Sequence, residues 1–153
     1  MSPVLRRAVQ ADGLVLARHC AELMTTASLE RVTGDVRSWA PHFAGMVVEG
    51  RYVAVVAELD GAVVGSAAYV VRQTLPRPWS EPGSEGRVVD MFVAPEARGN
   101  GIATAMLREL IGWARTAELR RLTLWPAHEA RQIYSDAGFV PLDEMALRLD
   151  MRP

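Results

Sequence analysis

The 153-residue sequence predicts an α/β fold, a mixed and partly antiparallel sheet with helices packed on it. Three observations point there. Tyr52 to Leu59 and Ala62 to Val71 are rich in β-formers and flank Asp60-Gly61, a pair whose members both accept the positive φ of a tight hairpin turn. An apolar strand ending at Val93 leads through Pro95 into a helix that opens within Arg98-Gly99-Asn100-Gly101. The order along the chain is β, helices, β-hairpin, long loop, β, α, β, α, β, with no internal repeat or low-complexity tract. One domain spanning residues 1–153 is expected.

Each element has its own signal. Val4 to Val9 reads as a short edge strand after Pro3. Asp12 has the chemistry of a helix N-cap, and Leu14, Ala17, Ala21 and Met24 recur behind it at helical spacing, with Val15, Cys20 and Leu23 nearby. A weaker helical pattern runs from about Asp35 to Val48, which Pro41 interrupts, giving two short helices or one broken one. Within the hairpin's second strand, Gly65 signals a bulge or a close backbone approach. Arg72 to Gly86, with Pro76, Pro78, Trp79, Pro82 and Gly83, reads as a long connection, either a substrate-side flap or a plain linker. Ile102, Ala103, Met106, Leu107, Leu110, Ile111 and Ala114 line one face of a helix reaching about Glu118. Arg121 to Trp125 reads as a strand stopped by Pro126, and Ala127 to Ala137 as a short helix ended by Gly138. Pro141 to Leu149 is expected to supply a last strand.

Composition excludes several classes of function. Half the residues are hydrophobic, 23% are charged and the net charge is -1, without a basic stripe of the kind that nucleic acid requires. No apolar run approaches the ~20 residues of a membrane span, and Met-Ser-Pro-Val-Leu-Arg-Arg does not read as a signal peptide. Cys20 is the single cysteine, which suits a reducing cytoplasm; its apolar surroundings make it read as a small core residue and not a nucleophile. His19, His42 and His128 lack metal-ligand spacing, so no metal is expected.

The strand-to-helix junction carries the chemistry. Gly99 and Gly101 allow close backbone approach and positive φ, and the helix start beyond them offers free N–H groups and a positive dipole end. Arg98 adds a fixed cation with bidentate reach to phosphate. Gly101 is followed by Ile102-Ala103, so this is not a P-loop. Thr104 stands where a dinucleotide fingerprint would need its third glycine.

What fits is Arg98-x-x-Gly101-x-Ala103 directly after an apolar strand. This resembles the [Q/R]-x-x-G-x-[G/A] pattern of the GNAT superfamily, the acyl-CoA-dependent N-acetyltransferases. Near the C-terminus Ala130, Tyr134, Gly138 and Phe139 match the family's A-x-x-x-Y-x-x-x-G-F. Two motifs in the family's order are far more specific than either alone, and together they cover the second half of the chain. One departure is Ala127, where members often carry Asn.

The resemblance implies a sheet that splays between its fourth and fifth strands, and acetyl-CoA as co-substrate. The diphosphate would rest on N–H groups of Arg98, Gly99, Asn100, Gly101, Ile102, Ala103 and Thr104. Backbone groups of Met91, Phe92 and Val93 would hold the pantetheine arm and polarise the thioester carbonyl. Tyr134 would protonate or hydrogen-bond the departing sulfur. For the general base Asp90 is the first candidate, with Glu81, Glu85 and His42 as competitors. The expected acceptor is a small-molecule amine, and Glu81, Glu85 and Asp90 would suit a cationic one, although Arg72, Arg77 and Arg87 are close in sequence. The alternatives are acetylation of a protein N-terminus or lysine, and a catalytically silent acyl-CoA sensor. Family members often form homodimers.

Overall fold

The computed structural model describes residues 3–28, 34–79, 81–147 and 149. In chain order its elements are β1 (Val4–Arg7), α1 (Gly13–Ser28), α2 (Ala40–Val48), β2 (Tyr52–Leu59), β3 (Ala62–Thr74), β4 (Gly83–Val93), α3 (Ile102–Thr116), β5 (Leu122–Thr123) and α4 (Arg131–Asp136), with short 3-10 turns leading into α1, α2 and α4. The five strands form one sheet in sequence order. The first three pairings are antiparallel and β4–β5 is parallel.

The turn at Asp60-Gly61 forms as expected, with φ of 51° and 79°. Gly65 sits beside a register shift between β2 and β3, and a Cβ added there would lie 3.0 Å from the Phe92 carbonyl oxygen. The sheet then separates two apolar layers. On one face Ile102, Met106, Leu110 and Ala114 of α3 pack on Val53, Val55, Ala57, Ala67, Tyr69 and Val88. On the other, Leu16 and Ala17 of α1 and Phe43 of α2 pack on Tyr52, Ala54, Val56 and Ala68. Each fully buried large side chain stabilises the fold by about 2 kcal/mol.

Several expectations are corrected. In α1 the expected Ala17 and Ala21 are buried, but so is Leu16, whereas Leu14 is only partly buried and Met24 is half exposed. Asp12 is not the cap of α1. It lies in the preceding 3-10 turn, where its carboxylate accepts from Val9 N (2.7 Å) and from both terminal nitrogens of Arg6 (2.8 and 2.9 Å), while Arg6 Nε donates to Glu58. The Asp35 to Val48 region is two short helical pieces, as one of its two readings had it: a 3-10 turn over Val36–Trp39 and then α2, with Pro41 in the first turn of α2, where its missing N–H costs nothing.

The long connection from Arg72 to Gly86 is sheet at both ends. Arg72, Gln73 and Thr74 pair with Glu85, Ser84 and Gly83, so the turn shrinks to residues 75–82, of which Ser80 is outside the described residues. Prolines and glycines concealed strand ends that cross-strand pairing holds. Residues 141–147 show no regular structure, so the expected last strand is absent among the described residues; Arg148 lies outside them.

The Arg6 guanidinium, chiefly by hydrogen bonding, lowers the Asp12 pKa below its usual value against the opposing effect of burial. The stability this confers is complete above the unfolded carboxyl pKa of ~3.9 and is lost as pH falls through the folded value. Asp12→Asn should cost about 2 kcal/mol at pH 7 in urea denaturation, and the gap from wild type should narrow as the pH drops below ~4.

Candidate active site

The site begins with one extra residue in β4. Ala68 pairs with Val89 and Ser66 with Phe92, so Asp90 and Met91 together face Ala67. Asp90 takes φ of 54°, a conformation its short polar side chain tolerates better than most. The insertion resets the alternation. Val88 packs toward α3 and Val89 toward α1, yet Met91 returns to the α3 face and Phe92 to the α1 face.

Asp90 consequently meets α1 and β2. Its Oδ2 accepts from the Tyr52 hydroxyl at 2.9 Å, and the Cys20 thiol, 4.0 Å from Met24 Sδ, stands near the same carboxylate. Burial raises the Asp90 pKa, partly offset by these two groups. Burial and the neighbouring Asp90 push the Cys20 thiol up to about 12, so it is protonated and unsuited to covalent catalysis. One residue earlier on α1, His19 Nδ1 lies 2.8 Å from Ser66 Oγ, and its ring stacks on Phe92 with centroids 4.2 Å apart. Burial lowers the His19 pKa to about 4, leaving a neutral imidazole at physiological pH.

Beyond the bulge, β4 loses its neighbour. β5 pairs with it only at Gly86–Leu122 and Arg87–Thr123. Ala94 N donates to Val64 O, so by alternation Phe92 also turns its main chain to β3, while Met91 and Val93 turn theirs to the open edge. Arg98 Nε donates to Val93 O (2.9 Å), which folds the arginine against that edge with its terminal nitrogens free among the described residues. Gly99 and Gly101 hold φ of 79° and 72°, and a Cβ added at either would meet no atom within 4 Å, so conformation and not space demands glycine here. Asn100 turns its amide back onto Ala97 O and Arg98 O. The first helical bond of α3 runs from Ala105 N to Gly101 O, and among the described residues no N–H from Gly99 to Thr104 has a protein acceptor.

These elements enclose a cleft of about 510 Å³, lined by Leu23, Met91, Phe92, Val93, Ala97, Arg98, Gly99, Gly101, Ile102, Ala103, Thr104, Ala127, Glu129 and Ala130. Every residue assigned from sequence to cofactor binding is there except Asn100. A row of unsatisfied amides, a helix N-terminus and an arginine make one end fit for a diphosphate. The unpaired edge of β4 at the other end offers N–H and C=O groups to an extended amide-bearing chain.

The sequence matches the profile of the Acetyltransferase (GNAT) family over residues 17–139. The protein belongs to that family. Among solved structures, the chain is similar to a predicted acetyltransferase from Clostridium acetobutylicum determined with acetyl-CoA, with TM-score 0.85, 24% identity, and 96% of each chain covered. It is similar also to a GCN5-related N-acetyltransferase from Ralstonia eutropha JMP134 (TM-score 0.79, 18% identity, 96% of this chain and 98% of that one). A third is glucosamine-6-phosphate N-acetyltransferase from Arabidopsis thaliana (TM-score 0.72, 16% identity, 98% and 100%). At such identities these likenesses speak to the GNAT fold. No curated protein matches the sequence.

The remaining GNAT candidates fall in different places. Tyr134 does not line the cleft. It sits one turn beyond Ala130, buried, and lines an adjoining cavity between β5, α4 and residues 139–144. Its ring meets Phe139 edge-on, and burial raises its pKa. Glu85 is engaged by Arg121 (2.8 Å) and Arg72 (3.7 Å), and His42 is exposed on α2 against Phe43. Ala127, the departure from the family's Asn, lines the cleft. Sequence reading missed the Tyr52–Asp90 and His19–Ser66 contacts, because the partners are 38 and 47 residues apart and meet only through tertiary packing. Cys20, expected as core, is half-buried and stands near a carboxylate. No helix among the described residues is long and apolar enough to cross a membrane.

Tyr52→Phe should raise the Asp90 pKa further, since a donor that lowers it is gone. A carboxyl carbon NMR titration would read this. The sign for stability follows: a raised folded pKa penalises the ionised form, so the variant should lose about 1–2 kcal/mol at neutral pH and less once Asp90 is protonated.

Proposed function

We propose that this GNAT acetyltransferase moves the acetyl group of acetyl-CoA to a primary amine of a small molecule, by direct attack in a ternary complex, in the cytoplasm. The observation that carries the reading is the run of unpartnered amides from Gly99 to Thr104 set beside the open edge of β4. Met91 and Val93 are the residues there whose N–H groups suit a pantetheine arm and a developing oxyanion. One such donor lowers a barrier by ~3 kcal/mol. Arg98 adds charge for the diphosphate.

The amine nitrogen attacks the thioester carbon, the C–S bond breaks, and the amine proton passes to Asp90 directly or through water. A carboxylate with a raised pKa is better matched to that work than an ordinary surface aspartate. The thiolate of coenzyme A is hydrogen-bonded or protonated by Tyr134. A buried phenol with a raised pKa holds its proton firmly, which favours the hydrogen-bonding role. Direct transfer is supported by the protonated state of Cys20. With Glu85 already bound to two arginines, the case for a cationic acceptor rests on Asp90.

The deciding experiment is thiol release from acetyl-CoA with a panel of polyamines, amino acids, aminoglycosides and short peptides. Release with a small amine is expected. Release with peptides alone would favour protein acetylation, and binding without release would favour a sensor. Tyr134→Phe should lower kcat while acetyl-CoA affinity stays nearly intact. Thr104→Asp separates fold from ligand: an acid in the first turn of α3 should stabilise the helix by ~0.5 kcal/mol, while calorimetry should show coenzyme A binding at least about tenfold weaker.

A further inference from the structure

Among the described residues, two buried side-chain polar atoms lack a hydrogen-bond partner: Arg87 Nη1 and Thr123 Oγ1. They are not scattered. Arg87 and Thr123 are register partners across the β4–β5 pair, so both side chains project on the same side of the sheet. Leaving a buried donor unsatisfied costs about 1–3 kcal/mol, and two at one spot mark a place where an acceptor is missing.

The spot borders a cavity of about 320 Å³, the one that Tyr134 lines. Thr123, itself nine-tenths buried, forms part of its wall. Arg87 packs behind the wall, against two of its residues: its guanidinium carbon lies 4.4 Å from the Trp125 ring centroid, and Nη2 donates to Glu144 at 3.1 Å. That grip uses one face and one nitrogen of the guanidinium and leaves Nη1 for something else. Glu144 is half exposed, so it neutralises Arg87 only weakly, and Arg131 brings a second cation to the cavity. Glu85, two residues back on β4, is engaged elsewhere by Arg121 and Arg72.

We propose that this cavity binds a carboxylate carried by the acceptor amine, one oxygen accepting from Arg87 Nη1 and the other from Thr123 Oγ1. The ligand is an amino acid or a similar amino carboxylate. The proposal rests on the transfer reaction above and names the class of its acceptor. Position supports it: Pro126 lines this cavity and Ala127 the cleft, so the two spaces adjoin, with Tyr134 and Ala130 one turn apart on the wall between them. An acceptor anchored by its carboxylate in the first can direct its amine toward the second.

The test compares amino acids with their carboxamides, which keep the size and the amine but lose the charge. Wild type should favour the acids by at least about tenfold in kcat/KM, as a site built around buried donors discriminates against ligands that leave them unpaired. Arg87→Met and Thr123→Val should each bring the acids close to the amides while leaving coenzyme A affinity unchanged. Thr123→Val removes only an orphan hydroxyl, so its melting temperature should hold or rise, which separates binding from folding. Equal use of acids and amides by wild type, or a preference that survives both substitutions, would overturn the proposal. Absence of thiol release with every amine would instead sink the transfer reading. In that case NMR titration of N-acetyl amino acids against N-acetyl amino amides, with coenzyme A present, still decides: selective binding of the acids that Arg87→Met abolishes upholds the carboxylate site, and equal or no binding rejects it.

Discussion

The structure depends on how little of β4 is bonded to β5. Two residue pairs hold them together, and past Arg87 the strands diverge. A fully paired fifth strand would have covered the main chain of Met91 and Val93 and closed the cleft. An unpaired edge is ordinarily a liability that invites another strand. Here Arg98 folds back onto Val93 O and the α3 N-terminus stands beside the edge, so it becomes a surface for a ligand with amide groups of its own.

The second constraint is the phase shift at Asp90. One inserted residue decides that Met91 faces α3, that Phe92 meets His19, and that a carboxylate is enclosed by Tyr52 and Cys20. A non-glycine residue at positive φ carries a cost of about 1–3 kcal/mol. The Tyr52 hydroxyl on the Asp90 carboxylate offsets part of it, and that strand geometry is what turns Asp90 toward α1 and β2 while Met91 faces α3.

Elements set by local chemistry were legible in the sequence. Asp60-Gly61 specified its turn, the apolar stripe of α3 specified its buried face, and Gly99 and Gly101 specified a loop that needs positive φ. What stayed hidden was set by distant partners. The ends of β3 and β4 look like loop in composition, and only their mutual pairing makes them strand. Met145, Leu147 and Leu149 alternate like a strand, but an apolar alternation needs an edge to join, and they lie almost wholly exposed. Of the site, the cleft followed from two motifs, whereas Thr123 and Arg87 carry no signal until they appear side by side.

The meander β2–β3–β4 also fixes the order in which the molecule can assemble. Its antiparallel contacts join neighbours along the chain and close short loops, whereas the parallel link to β5 must wait for α3 to cross between them. The wall that completes the cleft therefore docks late, onto a scaffold already formed, through the smallest interface in the sheet. It follows that β5 and α4 are the part of the fold least secured against local opening, and a ligand bridging both sides of the divide acts as the mortar of the finished protein.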